Sequence, residues 1–116
     1  MLRVEVAGQV VLLAGDVESE AQSDLVRSGT DLRADVLKVP HHGSADADPA
    51  FLAATGARVA LVSVGAGNPY GHPAPDLLSV LSRSGMRVHR TDEQGDLAVV
   101  VADEGGWGVS GRGQAP

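Results

Sequence analysis

Two histidines and an aspartate follow the ends of two apolar segments, and all three side chains could ligate a metal ion. His41 and His42 come directly after an apolar run that ends at Pro40, and Asp16 comes after the apolar run 10–14. Imidazole and carboxylate groups are zinc ligands, and α/β proteins bind ligands where their parallel strands end. The pattern is therefore typical of a hydrolytic metal site, with Asp16, His41 and His42 as candidate ligands.

Each candidate ligand also has a structural alternative. Asp16 stands just before a helical pattern and could cap that helix instead. If the backbone stays extended, His41 and His42 point to opposite sides of the strand, so at most one of them faces the metal. Gly43 allows a sharp turn after them, and Ser44 can cap the next segment.

A second group of polar side chains lies in the Gly- and Pro-rich segment 65–75. Asn68, Tyr70 and His72 are placed there for contact with a substrate, since loops that follow buried strands commonly carry function. The alternative is a turn whose histidine only bonds the backbone. His89 lies in an alternating segment, and we interpret it as a solvated or edge-strand histidine.

Apolar patterning and turn residues predict the elements that position these side chains. Residues 58–64 form a near-continuous apolar run, which is typical of a strand buried on both faces. Asp48 and Pro49 are typical of an N-cap followed by proline in the first helical turn. Strands are predicted at residues 2–6, 9–14, 34–39, 58–64, 86–91, 96–102 and 107–110, and helices at 18–28, 49–55 and 76–84. The order predicts an α/β fold, a mixed sheet layered with helices. We expect one partial domain over residues 1–110 and a disordered tail over 111–116.

The composition limits the possible functions. The chain has 116 residues, only 3% of them aromatic, so aliphatic side chains must fill the core. It has no cysteine, which excludes disulfides and thiolate ligands. A net charge of −6 without a Lys/Arg cluster argues against high-affinity, non-specific nucleic-acid binding, although a nuclease could still meet its substrate through a metal site. No apolar run is long enough to span a membrane, so we expect a soluble domain.

Four segments, taken in order, resemble one protein family. They are LLAGDVE (12–18), ADVLKVPHHGS (34–44), SVGAGNPYGHPAPDLL (63–78) and VHRTDEQGDLAV (88–99). Together they resemble the C-terminal metallo-β-lactamase-like domain of ComEC-type competence proteins, which are DNA-uptake channel components of bacteria. The resemblance covers residues 10–101.

The resemblance implies an αββα sandwich with a two-metal hydrolase centre, of which this chain would be the C-terminal half. Asp16 would bridge two divalent metals, zinc or manganese. His41 or His42 would ligate the second metal, and His41 is favoured because it comes first after the strand. His72 would line the site and orient or protonate the leaving group, beside Asn68 and Tyr70. The function implied is a phosphodiesterase or nuclease.

The chain departs from the family pattern in two places. Residues 45–48 (ADAD) replace a serine-rich continuation, and the HxHxDH motif is absent. That motif is expected before residue 1, so we expect this fragment to be inactive or weak alone. The implied partners are DNA bound through the parent protein, the missing N-terminal half, a membrane channel domain of that bacterial protein, and a second copy of the chain. A stand-alone metallo-hydrolase for small substrates and a non-catalytic half-domain are the alternatives.

Overall fold

The structure is a computed structural model that describes residues 1–112, and it contains seven strands and four helices over that range. The strands are β1 (Leu2–Val6), β2 (Gln9–Leu13), β3 (Val36–Lys38), β4 (Val59–Val62), β5 (Arg87–Arg90), β6 (Leu97–Val101) and β7 (Trp107–Gly111). The helices are α1 (Ser19–Arg27), α2 (Pro49–Ala54), α3 (Pro75–Arg83) and α4 (Thr91–Gln94). Residue 111 thus belongs to β7, and residues 113–116 of the expected tail lie outside the described residues.

Five strands form one mixed sheet in the order β1-β2-β3-β4-β5, and β6 and β7 form a separate hairpin. β1 pairs antiparallel with β2, whereas β2 to β5 are parallel to their neighbours. Parallel neighbours require crossover connections, which α1, α2 and α3 supply. All four parallel strands therefore end at one edge of the sheet. The predicted mixed α/β sheet layered with helices is confirmed.

The three longer helices cover one face of the sheet and enclose the core. Leu12, Leu37 and Ala60 lie side by side in the strand register and are fully buried. Phe51 and Leu81 pack against them from α2 and α3. As expected from the low aromatic content, aliphatic side chains fill most of this core, with Phe51 as its single phenyl ring.

The β6–β7 hairpin lies over part of the opposite face. The Trp107 ring centroid is 5.3 Å from the guanidinium carbon of Arg58, which precedes β4, and Leu97 of β6 lines one cavity with Leu61 of β4. The hairpin therefore covers the β4 side of the sheet, while Leu2 of β1 at the other side is 60% exposed.

The structure confirms the predicted cap of α2 and adds a short helix after β5. Asp48 caps α2 as predicted, since its Oδ1 accepts the N–H of Ala50 at 3.0 Å. The short helix α4 was not predicted, because four polar residues carry no apolar stripe.

Across residues 1–112, the structure has no helix whose length and apolar content would let it span a bilayer.

Candidate functional site

The two histidines follow β3 in a tight turn, residues Pro40–Gly43, here called the histidine turn. The backbone N–H of His41 donates to the carbonyl of Gly15 at 2.8 Å, which joins the turn to the residue before Asp16. The N–H of Ala74 donates to the carbonyl of Gly43 at 2.9 Å. The ends of β2 and β3 and the segment 65–74 after β4, here called the Asn68 loop, therefore meet at one edge of the sheet.

The histidine turn has a left-handed backbone. His41 (φ 52°, ψ 46°), His42 (φ 55°, ψ 24°) and Gly43 (φ 83°) all have positive φ. The backbone does not stay extended, which was the condition for the two rings to point to opposite sides, because the chain leaves the strand conformation after Val39. A left-handed conformation costs a non-glycine residue about 1–2 kcal/mol, so surrounding contacts must hold both histidines.

His42 is held by a hydrogen bond of its ring. Its Nδ1 lies 2.7 Å from the backbone carbonyl oxygen of Ser63, which follows β4. Because a carbonyl only accepts hydrogen bonds, Nδ1 carries the proton in the neutral ring and the Nε2 lone pair is available. Histidines that bind metals commonly have this second hydrogen bond to a backbone carbonyl.

His41 lies at the centre of a group of three imidazoles. Its ring centroid is 6.4 Å from that of His42 and 6.0 Å from that of His72. Its Nδ1 is buried and has no hydrogen-bond partner among the described residues. A buried polar atom without a partner is energetically costly.

Asp16 is exposed and follows Gly15, whose carbonyl accepts the N–H of His41, and its carboxylate makes no hydrogen bond within residues 1–112. The alternative that Asp16 caps α1 is wrong, since α1 begins at Ser19 with Glu18 in the N-cap position. Asp16 also influences Lys38 at the end of β3. Burial lowers the pKa of the Lys38 ammonium, and the Asp16 carboxylate acts in the opposite direction.

Asp46 is a charged neighbour of His41 that the sequence did not single out. The hydroxyl of Ser19 donates to Asp46 and lowers the pKa of its carboxyl below the usual value, and nearby His41 acts in the same direction. This carboxylate belongs to segment 45–48, where the chain departs from the family pattern. This departure from the family pattern is the sequence signal that could have identified Asp46.

The Asn68 side chain holds the Asn68 loop together. Its Oδ1 accepts the N–H groups of Tyr70 and His72, both at 3.1 Å. Its Nδ2 donates to the carbonyl oxygens of His72 at 2.7 Å and Gly65 at 3.2 Å. All four hydrogen bonds of the amide are therefore made to the loop backbone, which places His72 against His41.

Tyr70 lies beside His72 of the three imidazoles, whereas His89 makes a local contact on the edge strand. The Tyr70 side chain is 77% exposed, and its ring centroid is 5.8 Å from that of His72. His89 lies on the edge strand β5, where its Nδ1 is 3.1 Å from Oε1 of Gln94. The structure thus brings Asp16, His41, His42, His72 and Tyr70 to one edge and places His89 in a local edge-strand contact.

Fold and site together define a mixed α/β protein with histidines gathered at the carboxyl ends of its parallel strands. Within residues 1–112, no three His, Asp or Glu side chains form a group that could hold a metal ion.

The chain is similar to segments of two competence proteins. It is 36% identical over 98 residues to ComE operon protein 3 of Bacillus subtilis (strain 168) and 33% identical over 99 residues to Competence protein ComA of Neisseria gonorrhoeae. Each match covers 84% of this chain but only 13% and 14% of the two relatives, so the chain spans about one seventh of their length. These homologues support the predicted relation to competence proteins. No family model matches the chain, and no solved structure matches it.

Proposed function

We propose that this chain is the C-terminal part of a metal-dependent phosphodiesterase domain that cleaves DNA during competence-linked uptake. The observation that carries the proposal is the meeting of three imidazoles at the sheet edge where Gly15, the residue before Asp16, accepts the N–H of His41. The competence proteins similar to the chain support a role in competence, and the proposal assigns DNA as the substrate.

The donor types at this edge, carboxylate and imidazole, are ones that zinc and manganese accept, and within residues 1–112 no three of them form a closed metal group. Asp16 offers a free carboxylate, His41 an unpartnered Nδ1, and His42 an Nε2 whose ring is fixed by Ser63. Two bound metals would supply an activated water and stabilise charge on the phosphodiester. The remaining ligands belong to the HxHxDH segment that the family resemblance places before residue 1.

The Asn68 loop supplies the groups that contact substrate. In this proposal His72 orients or protonates the leaving oxygen, which is supported by the contact of its ring with His41. Asn68 acts by positioning His72, because its amide is fully engaged with the loop backbone. Tyr70 offers an exposed aromatic ring beside His72, and such rings stack on nucleobases.

The test compares the chain alone with a form extended at its N-terminus. Zinc and manganese titrations by calorimetry should show weak binding to the chain and tight binding to the extended form. The extended form should cut DNA when it is loaded with metal. Asp16→Ala should lower cleavage by at least about 100-fold, since even losing a group that only orients a metal ligand costs about 10–100-fold.

Asp103→Ala is the matched control, because this exposed carboxylate lies between β6 and β7. It should cleave as the parent form does, and both variants should unfold at the same temperature as the parent. Full activity in a folded Asp16→Ala variant would refute its role as a ligand. An extended form that folds but binds no metal and cuts no DNA would refute the hydrolase and favour a non-catalytic domain.

A further inference from the structure

Lys38 is the one lysine in the sequence, and it ends β3 at the same sheet edge as the histidine turn. In the strand register it lies beside Leu13 of β2 and Leu61 of β4. These residues alternate with buried Leu12 and Leu37, so Lys38 points to the face opposite the helices. Its side chain is half-buried there.

The Lys38 side chain lines a cavity of about 360 Å³ between the sheet and the start of β6. Ser63, Thr91 and Asp96 supply the other polar groups of its lining. The cavity adjoins the histidine turn, because the Ser63 carbonyl accepts the hydrogen bond from His42. A group bound in this cavity would therefore lie next to the proposed metal ligands.

The ammonium of Lys38 has spare hydrogen-bonding capacity. Its Nζ makes one hydrogen bond within residues 1–112, to the carbonyl of Val39 at 3.3 Å, and it has three donors. Among the described residues no carboxylate lies within 4.0 Å of it. By contrast, the charge of Arg90 at the end of β5 is neutralised by Asp92 at 2.7 Å and by Glu93 at 3.5 Å.

The hydroxyls in this cavity differ in their availability. Thr91 Oγ1 accepts the N–H of Val64 at 2.8 Å and donates to the Val64 carbonyl at 2.9 Å, so it is occupied. Ser63 Oγ makes no hydrogen bond within residues 1–112 and can donate to a ligand. Asp96 is the one acidic side chain of the lining, and an anion must bind away from it.

We propose that Lys38, with the Ser63 hydroxyl, binds a backbone phosphate of the DNA strand next to the scissile one. The inference rests on the proposed function, because it assigns the contact to that substrate. A compact ammonium serves as a point charge for phosphate, and ion pairing there contributes to affinity in a salt-dependent way. Lys38 thus supplies positive charge at an edge of a chain whose net charge is −6.

The single lysine permits a direct binding test on the 116-residue chain. Reductive methylation with ¹³C-formaldehyde labels only Lys38 and the N-terminal amine, and it keeps the positive charge. We expect the dimethyl-Lys38 resonance to shift on titration with a single-stranded thymidine octanucleotide. It should not shift with the same octanucleotide carrying neutral methylphosphonate links. The N-terminal resonance serves as the internal reference.

A kinetic test uses the N-terminally extended form. Lys38→Gln should raise KM for DNA by about 10-fold and leave kcat within a few-fold. The slope of log KM against log salt concentration should fall by about one, which corresponds to the loss of one phosphate contact. Lys38→Arg should restore the KM. Arg83→Gln, at an exposed position of α3, makes the same change in net charge and should have no effect.

The outcomes separate the two proposals. An unchanged Lys38 resonance with the natural octanucleotide, or an unchanged KM in Lys38→Gln, would overturn the phosphate contact even if the parent form cleaves DNA. A loss of metal affinity in Lys38→Gln with KM unchanged would also overturn it, since Lys38 would then act by positioning Asp16. A phosphate-dependent Lys38 shift in the 116-residue chain, together with a folded extended form that binds no metal and cuts no DNA, would support the contact and refute the hydrolase.

Discussion

His41 and His42 adopt a backbone conformation that their residue type disfavours, and the contacts around them show what holds it. The N–H of His41 is fixed by the carbonyl of Gly15, and the ring of His42 is fixed by the carbonyl of Ser63. Strained backbone of this kind is concentrated at functional sites, where the neighbouring structure imposes it. The strain here directs two adjacent rings into one edge of the sheet, which an extended strand would not do.

The Ser63 contact predicts the tautomer of His42. Because the carbonyl can only accept, neutral His42 should carry its proton on Nδ1 and leave Nε2 unprotonated. Imidazole ¹⁵N shifts, measured by long-range ¹H–¹⁵N correlation above the pH at which the ring ionises, report this directly. The common Nε2–H tautomer at His42 would contradict the described contact.

His89 is the control for the metal response of that resonance. Its ring also has an oxygen acceptor near Nδ1, Oε1 of Gln94 at 3.1 Å, but it lies outside the group around His41. Adding zinc to the N-terminally extended form should therefore shift Nε2 of His42 and leave His89 unchanged. Equal shifts at both rings would indicate non-specific binding.

The sequence predicted where the candidate residues lie better than how they are held. The apolar run ending at Pro40 indicated that His41 and His42 follow a strand. The sign of φ at these residues was not predictable, because it depends on Ser63, 21 residues beyond His42. The role of Asn68 was equally hidden, since its four hydrogen bonds belong to the folded loop.

Among the elements, the histidine turn and the Asn68 loop depend on one close contact. Gly43 has φ 83°, and a Cβ built on it would lie 2.6 Å from Cβ and 2.9 Å from Cα of Pro73. Only a residue without a side chain lets the two segments approach this closely. The contact joins the segment carrying His41 to the segment carrying His72.

Gly43→Ala should therefore destabilise the fold and separate the two segments. We expect a loss of about 2–4 kcal/mol in the free energy of unfolding, since an overpacking clash adds to the cost of a left-handed alanine. Urea denaturation followed by far-UV circular dichroism measures this loss.

Gly71→Ala is the matched control for that change. Gly71 has nearly the same φ, 73°, but a Cβ there would meet nothing within 4 Å. Its cost should be that of the left-handed conformation alone, about 1–2 kcal/mol. Equal losses in the two variants would show that the approach to Pro73 contributes nothing.

Elements with strong periodicity were predictable, and their packing was not. The β-hairpin at the start, the apolar strand β4 and the capped helix α2 follow from alternation, apolar content and the Asp48–Pro49 pair. The position of the β6–β7 hairpin over the sheet depends on contacts such as Arg58 with Trp107, which join residues 49 positions apart. No local pattern encodes such a contact.

On the scale of the whole molecule, the sheet has an apolar face that the chain covers only in part. Leu2, Val6 and Leu13 share the face opposite the helices, and they are 60%, 55% and 38% exposed. Leu2 and Val6 belong to β1, an edge strand with one side of its backbone unpaired by another strand of the sheet. Exposed apolar surface beside an open strand edge favours association.

We therefore expect the 116-residue chain to self-associate through this face. A second copy would bury the same residues on both partners in a two-fold arrangement. Multi-angle light scattering should give a mass above that of the monomer, 11.8 kDa, and the mass should rise with protein concentration. Leu13→Lys should return the chain to the monomer, because it places a charge in the shared contact.

Val100→Lys tests whether any exposed apolar residue would have this effect. Val100 of β6 is 52% exposed, more than Leu13, but it belongs to the separate hairpin. Its variant should associate as the parent chain does.

The net charge of −6 on each copy opposes the contact, so added salt should strengthen association by screening that repulsion. A monomer at high concentration in both low and high salt would show that this face is stable in water without a partner.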